Sequence, residues 1–258
     1  MPVAWLSALR ARIGAPRAIP DPLWRQALLQ APLIAALDEP RQRRLRELCA
    51  LFLARKRFSA VAGAELDDLR CLLIAQQACL PVLQSGFAAL RGWREVIVYP
   101  GEFRVRRQHE DADTGVVSEE DEELIGEAWE RGPVVLSWAD VAHDLAHPYD
   151  GFNVVVHEIA HKLDQLDGAM DGIPVLPPGL SRREWIGTFQ HAFDTLKKQV
   201  ERDRSAAIDA YAAENPEEFF AVVSELHFSQ PALLARAAPA VARLLGALYG
   251  PAPQRPAG

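Results

Sequence analysis

The sequence predicts an α+β domain with a helical front, a small central sheet and a helical C-terminal part. Three observations carry this reading. Apolar residues recur at helical spacing through most of the first 90 residues. Three short runs suited to strands follow between residues 95 and 138. The pattern turns helical again from about 153 to 249. With 258 residues, 49% of them hydrophobic, the chain can bury a substantial core without disulfide staples. We read residues 1–250 as one domain: a helical front over 1–90, the sheet and the helix after it over 91–170, and C-terminal helices over 171–250. Residues 251–258 (PAPQRPAG) form a tail expected to be disordered.

Residues 22–30 and about 38–58 read as helices. In the second, Leu45, Leu48, Phe52 and Leu53 recur at helical spacing beside the basic run Arg41–Arg46. Lys and Arg outnumber Asp and Glu eleven to four over residues 1–57, which solvated helix faces account for. Asp67–Leu80 reads as a third helix, capped by Asp67 and ended by Pro81. Its leucines make it too apolar to be exposed all round. Glu95–Tyr99 (EVIVY) is a β-rich run closed by the turn pair Pro100-Gly101. Phe103–Arg106 alternates as a half-buried strand would, and Pro133–Trp138 is a third strand candidate. Glu110–Glu123 holds eight acidic residues in fourteen and reads as a mobile solvated loop, with a partner-facing surface as the alternative. Helices are then expected at about 153–166, 182–203, 216–228 and 231–249.

Composition excludes several function classes. The net charge of −7 argues against direct nucleic-acid binding. The three cysteines, Cys49, Cys71 and Cys79, form no CxxC pair. They exclude a disulfide scaffold or a Cys-rich zinc finger and favour a reducing compartment. Arginines interrupt the apolar residues of 1–17, unlike a signal peptide, and no stretch approaches 18 apolar residues. A cytoplasmic monomer with no membrane contact is the expectation.

Residues 153–167 read NVVVHEIAHKLDQLD and contain an HExxH motif, His157-Glu158-Ile159-Ala160-His161. Side chains at i and i+4 lie one above the other on a helix, so two imidazoles can grip one metal ion. Glu158 then stands beside a water on that ion. Chance would place HExxH in about one such chain in a hundred, and the apolar helix around it makes coincidence a weaker explanation still. His143 and His147 (HDLAH) share the spacing but lack the Glu, and Pro148 follows at once. A capping or loop role fits them better than a second metal site.

A catalytic zinc takes three protein ligands and keeps one position open. The extended pattern HExxHxxGxxH would need Gly at 164 and His at 167, where this sequence has Asp164 and Asp167. Asp167 is one option for the third ligand, and a Glu from a later helix is the other. Asn215-Pro216-Glu217-Glu218 begins such a helix, where Asn caps, Pro suits the first turn and Glu218 completes a capping box. Glu225 lies two turns beyond Glu218 on the same face, which suits one ligand and one carboxylate supporting a ligand. Tyr211 stands seven residues before Glu218. It is either a packed aromatic with a wet hydroxyl or a donor to a developing oxyanion.

GFNVVVHEIAHKLDQLDG (151–168) and YAAENPEEFFAVVSELHF (211–228) resemble the Mlc titration factor A (MtfA) family of zinc metallopeptidases. VIVYPGEF (96–103) and GPVVLSW (132–138) are similar to it too, and the likeness runs from about residue 20 to 250. The family is related to the catalytic domain of anthrax lethal factor, so the resemblance implies a zincin-like fold of gluzincin type. It implies one zinc ion (Zn2+) per chain, held by His157, His161 and Glu218. It also implies Glu158 as general base and Tyr211 as the active-site tyrosine. Cytosolic aminopeptidase-type activity on peptide substrates follows from it, together with binding of a glucose-responsive transcriptional repressor (Mlc). A zinc-containing binding protein that sequesters a transcription factor without catalysis is the competing expectation.

Overall fold

The computed structural model describes residues 18–101, 132–202 and 205–254. The described residues open with α1 (Asp21–Gln30), a single turn α2 (Pro32–Ala35) and α3 (Glu39–Arg55). Asp38 caps α3 by accepting from the Arg41 amide at 2.9 Å. The basic run faces water as local ion pairs, Arg41–Asp38, Arg43–Glu39 and Arg44–Glu47. The opposite stripe, Leu45, Leu48, Phe52 and Leu53, is buried.

The helix expected to run to residue 58 stops at Arg55, and Arg57–Ala60 forms strand β1. Its four residues, RFSA, alternate polar and apolar, but so short a run at the end of a helical pattern does not declare a strand by itself. Pairing with a distant partner, β2 (Glu95–Tyr99), makes it a strand. β3 (Val134–Ser137) lies on the other side of β2. The sheet order is β1-β2-β3 and both pairings are parallel, with Arg57 opposite Glu95 and Val96 opposite Val134. Val96 and Val98 are buried and alternate with partly exposed neighbours, so β2 turns one face to the core.

Between the first two strands runs α4 (Asp68–Cys79), capped by Asp67 accepting from Arg70 at 2.7 Å. Every residue from Cys71 to Cys79 is buried, so α4 is a central helix. β3 passes directly into α5 (Trp138–Ala146), capped by Ser137. The sequence reading did not anticipate α5. Its C-terminal turn carries His143, and His147 follows as the capping residue, its Nδ1 3.0 Å from the His143 carbonyl oxygen. The HDLAH pair thus lies at the end of a helix just before Pro148, with His147 in a capping position.

The remaining α-helices among the described residues are α6 (Val154–Asp164), α7 (Arg182–Glu201), α8 (Pro216–Ser229), α9 (Pro231–Ala237) and α10 (Pro239–Tyr249). The single helix expected over 231–249 is broken at Ala238, because Pro239 can start a helix but cannot continue one. α6 packs chiefly against α8 and also touches α4 and β3. Trp185, Phe189, Phe219 and Phe220 form an aromatic cluster between α7 and α8, with Trp185 and Phe189 stacked at 4.2 Å. After α10, the Pro251 carbonyl accepts from Arg41 at 2.8 Å, so the segment read as a free tail begins anchored. Phe103–Arg106 and the acidic segment 110–123 lie outside the described residues. Among the described residues, no helix is long and apolar enough to cross a membrane.

Candidate functional site

The site is built on α6 and α8. Asn153 starts α6 as its cap, its side chain accepting from the Val156 amide at 2.9 Å. Asp144 of α5 accepts from the Val154 amide at 2.7 Å, so two side chains meet the free amides of the first turn. One turn further on, His157 and His161 project from the same face, with ring centroids 4.8 Å apart. Asn215 caps α8 by accepting from the Glu218 amide at 2.8 Å. Capping uses the backbone of Glu218 and leaves its carboxylate to reach α6.

Glu218 Oε2 lies 3.0 Å from His157 Nε2 and 3.4 Å from His161 Nε2, and the two ring nitrogens are 3.1 Å apart. Two imidazole lone pairs facing each other at that distance repel unless a proton or a metal cation stands between them. Ligands about 2.0–2.1 Å from a tetrahedral zinc would be separated by about 3.3 Å. The triangle of His157, His161 and Glu218 therefore fits such an ion, and these three residues form a group able to hold a metal among the described residues. His161 and Glu218 are 3% and 1% exposed, so a cation here would be shielded on the protein side.

Glu225 stands behind His157. Its Oε1 lies 2.7 Å from His157 Nδ1; a carboxylate accepts, so this contact favours a proton on Nδ1 and turns Nε2 toward Glu218 and His161. Its Oε2 accepts from the Asn153 amide, and Asn153 Nδ2 donates to Gln77 of α4 at 2.8 Å. A chain of hydrogen bonds thus ties the first imidazole to three helices. Burial lowers the basicity of His157, but hydrogen bonds to Glu218 and Glu225 and the charge of Glu158 outweigh it, pushing its pKa up to about 10. Burial would raise the pKa of Glu218, yet the two histidines hold its carboxyl well below the ordinary range. The cluster is electron-rich and calls for a cation.

Tyr211 sits in a short 3-10 turn, Ala210–Ala213, whose start is capped by Asp209 accepting from the Tyr211 amide at 2.8 Å. Its ring centre is 6.2 Å from that of His157, and it is 41% exposed, so it borders the site on the solvent side. Glu158 is half-buried next to His157. Asp167 points elsewhere and lies 3.6 Å from Arg182. The alternative third ligand is thus not in the cluster. A cavity of about 680 Å³ between α7 and the α9–α10 junction is lined by Thr188, His191, Leu196, Ile208 and Val241, and none of the five sequence-predicted site residues borders it.

Sequence reasoning missed Asn153, Gln77 and Asp144. Asn directly before the apolar run VVV was a readable cap. The pair Gln76-Gln77 inside an otherwise apolar helix was a readable anomaly.

Residues 5–250 match the family model of the glucose-regulated metallo-peptidase M90. A protein of Klebsiella pneumoniae (strain 342) called Mlc titration factor A is 41% identical over 224 residues, 84% of this chain and 82% of that one. Proteins of the same name from Escherichia coli (strain SMS-3-5 / SECEC) and Cronobacter sakazakii (strain ATCC BAA-894) are 40% and 37% identical. They cover 82% and 90% of this chain, and 79% and 87% of their own lengths. By this breadth of similarity, the chain belongs to the glucose-regulated metallo-peptidase M90 family.

Proposed function

We propose that the protein is a zinc-dependent peptidase of aminopeptidase type, with a zincin-like fold, in which His157, His161 and Glu218 hold one zinc ion. The observation that carries this is the triangle of two imidazole nitrogens and one carboxylate oxygen, 3.0 to 3.4 Å on a side, on a chain of a metallo-peptidase family. Two nitrogens and one oxygen suit zinc and leave a fourth position for water.

Zinc, when bound, acidifies water and polarises the scissile carbonyl. Glu158 takes the proton of the attacking water and passes it to the leaving amine nitrogen. The Tyr211 hydroxyl donates to the oxygen on which charge develops, an effect worth about 3 kcal/mol per well-placed donor. Glu225 keeps the His157 ring in one tautomer throughout. A peptide backbone lies along the sheet near Pro133–Trp138.

Glu158→Gln should retain zinc and lose hydrolysis of an unblocked aminoacyl anilide by about 10²–10⁴-fold. Metal analysis and initial rates check this; cleavage at the wild-type rate removes Glu158 from the mechanism. A blocked amino terminus on the same anilide should abolish turnover if the activity is of aminopeptidase type.

A second reading rests on the name of the relatives, which speaks of titrating Mlc. The protein would then bind a transcriptional repressor, with or without catalysis, as a cytoplasmic monomer. Co-purification of the repressor with the Glu158→Gln variant would separate binding from hydrolysis.

A further inference from the structure

Asp164 ends α6, three residues after His161, and is fully buried at 0% exposure. A carboxylate so placed costs stability unless its contacts repay it. Its Oδ2 accepts from the Gly172 amide at 2.8 Å. The Gly172 carbonyl in turn accepts from the Trp185 indole N–H of α7 at 3.0 Å. Gly172 has φ +77°, and a Cβ there would lie 2.7 Å from the carbonyl oxygen of Pro216. Pro216 is the first residue of α8, two before Glu218. The loop after α6 is therefore drawn in by Asp164, held by Trp185 and pressed backbone to backbone against the first turn of α8.

Resting on the zinc reading above, we propose that Asp164 and Gly172 are positioning residues that set Glu218 against the His157–His161 pair. The two imidazoles share one helix and need no outside help to keep their spacing. Glu218 comes from another helix, and its distance from them depends on where α8 begins. The Asp164–Gly172–Pro216 contact fixes that point. Only glycine admits it, since any side chain at 172 would occupy the space of the Pro216 carbonyl and would also be strained at this φ.

The test uses the full chain and two readouts: zinc affinity by competition with a chromophoric chelator, and the visible spectrum of the cobalt-substituted protein. Gly172→Ala should weaken zinc about 10–100-fold, the range for partners behind metal ligands, and shift the cobalt bands. Gly168→Ala is its control, because Gly168 has φ +103° with nothing within 4 Å of a Cβ. Both variants suffer the same kind of backbone strain, and only the first meets α8. Asp164→Ala should weaken zinc to a similar degree, while Asp164→Asn, whose carbonyl still accepts from Gly172, should stay within about threefold of wild type. Equal affinities and spectra for Gly172→Ala and Gly168→Ala, with Asp164→Ala matching Asp164→Asn, would overturn the proposal. If Gly172→Ala does not fold, the two Asp164 variants decide it. Zinc bound as tightly by Glu218→Ala as by wild type would instead overturn the reading of Glu218 as a ligand, whatever the loop variants do.

Discussion

Two histidines, His157 half-buried and His227 buried, show how far surroundings govern one side chain. His157 faces three carboxylates and is pushed toward the charged form. His227, two residues after Glu225 on α8, faces the Gly250 carbonyl at 3.1 Å and the rings of Phe228 and Tyr249. Burial lowers its pKa to about 4, with the carbonyl only partly opposing. The folded chain thus binds this proton less readily than the unfolded chain, whose histidine titrates near 6.5. Stability from a neutral His227 is complete above that value and is lost as pH falls through the window from 6.5 to 4. The full difference corresponds to about 3 kcal/mol at the acid end. His227→Gln keeps a donor for Gly250 and does not titrate. Denaturant unfolding at pH 7 and pH 4 should show wild type losing about 2–3 kcal/mol more than this variant. Parallel losses would mean that His227 is already charged in the fold. At this scale the candidate metal cluster was partly legible: His157, Glu158 and His161 are neighbours in sequence, and Glu225 follows Glu218 by two turns. Choosing Glu218 over Asp167 needed either resemblance or coordinates, because a helix cap and a ligand leave the same residue in the sequence.

Local chemistry announced most helices. Asp38, Asp67, Asn153, Ser181 and Asn215 each accept from an amide of the first turn they precede, contributing about 1 kcal/mol apiece. β1 was missed for the opposite reason: it is a strand only because β2, almost forty positions later, pairs with it, and no local pattern records a parallel partner. α5 follows β3 without a break, and the strand-like run PVVLSW masks the Ser137 cap that starts it. The junction from α3 into β1 depends on Lys56, which is 5% exposed. Its Nζ donates to the carbonyls of Leu90 and Trp93 at 2.5 and 2.7 Å and lies 3.3 Å from the centre of the Trp93 ring. Those carbonyls belong to the segment entering β2, so one side chain joins the starts of two paired strands. Lys56→Met would preserve the apolar stem and leave both carbonyls unpaired, a cost of about 2–4 kcal/mol. A urea midpoint that falls accordingly, with an unchanged slope, supports this role; an unchanged midpoint would show that water takes over from the ammonium.

For the molecule as a whole, the decisive feature is that the candidate ligands come from two helices joined only through tertiary structure. His157 and His161 lie on α6, Glu218 on α8, and between them the chain makes the loop at Gly172 and all of α7. α6 also packs on α4 and β3, and α8 on α7 and α10, so pulling the two apart opens the core common to the front and back of the fold. An ion held by both helices binds the folded chain and not the unfolded one, and must stabilise the whole cooperative unit rather than a local loop. At free zinc a hundredfold above its dissociation constant the gain should be about 2.7 kcal/mol. Wild type and Glu158→Gln should share that gain, since neither loses a ligand. His157→Ala and Glu218→Ala should lose most of it, and a chelator should bring wild type down to their level. The gain should also fade on acidification, because protons compete for the two imidazoles and the carboxylate that the metal requires. Calorimetric scans of the four proteins with zinc and with chelator read all of this directly. If the melting temperature of wild type does not respond to zinc while the metal is bound, the ion does not bridge α6 and α8, and Glu218 is not one of its ligands.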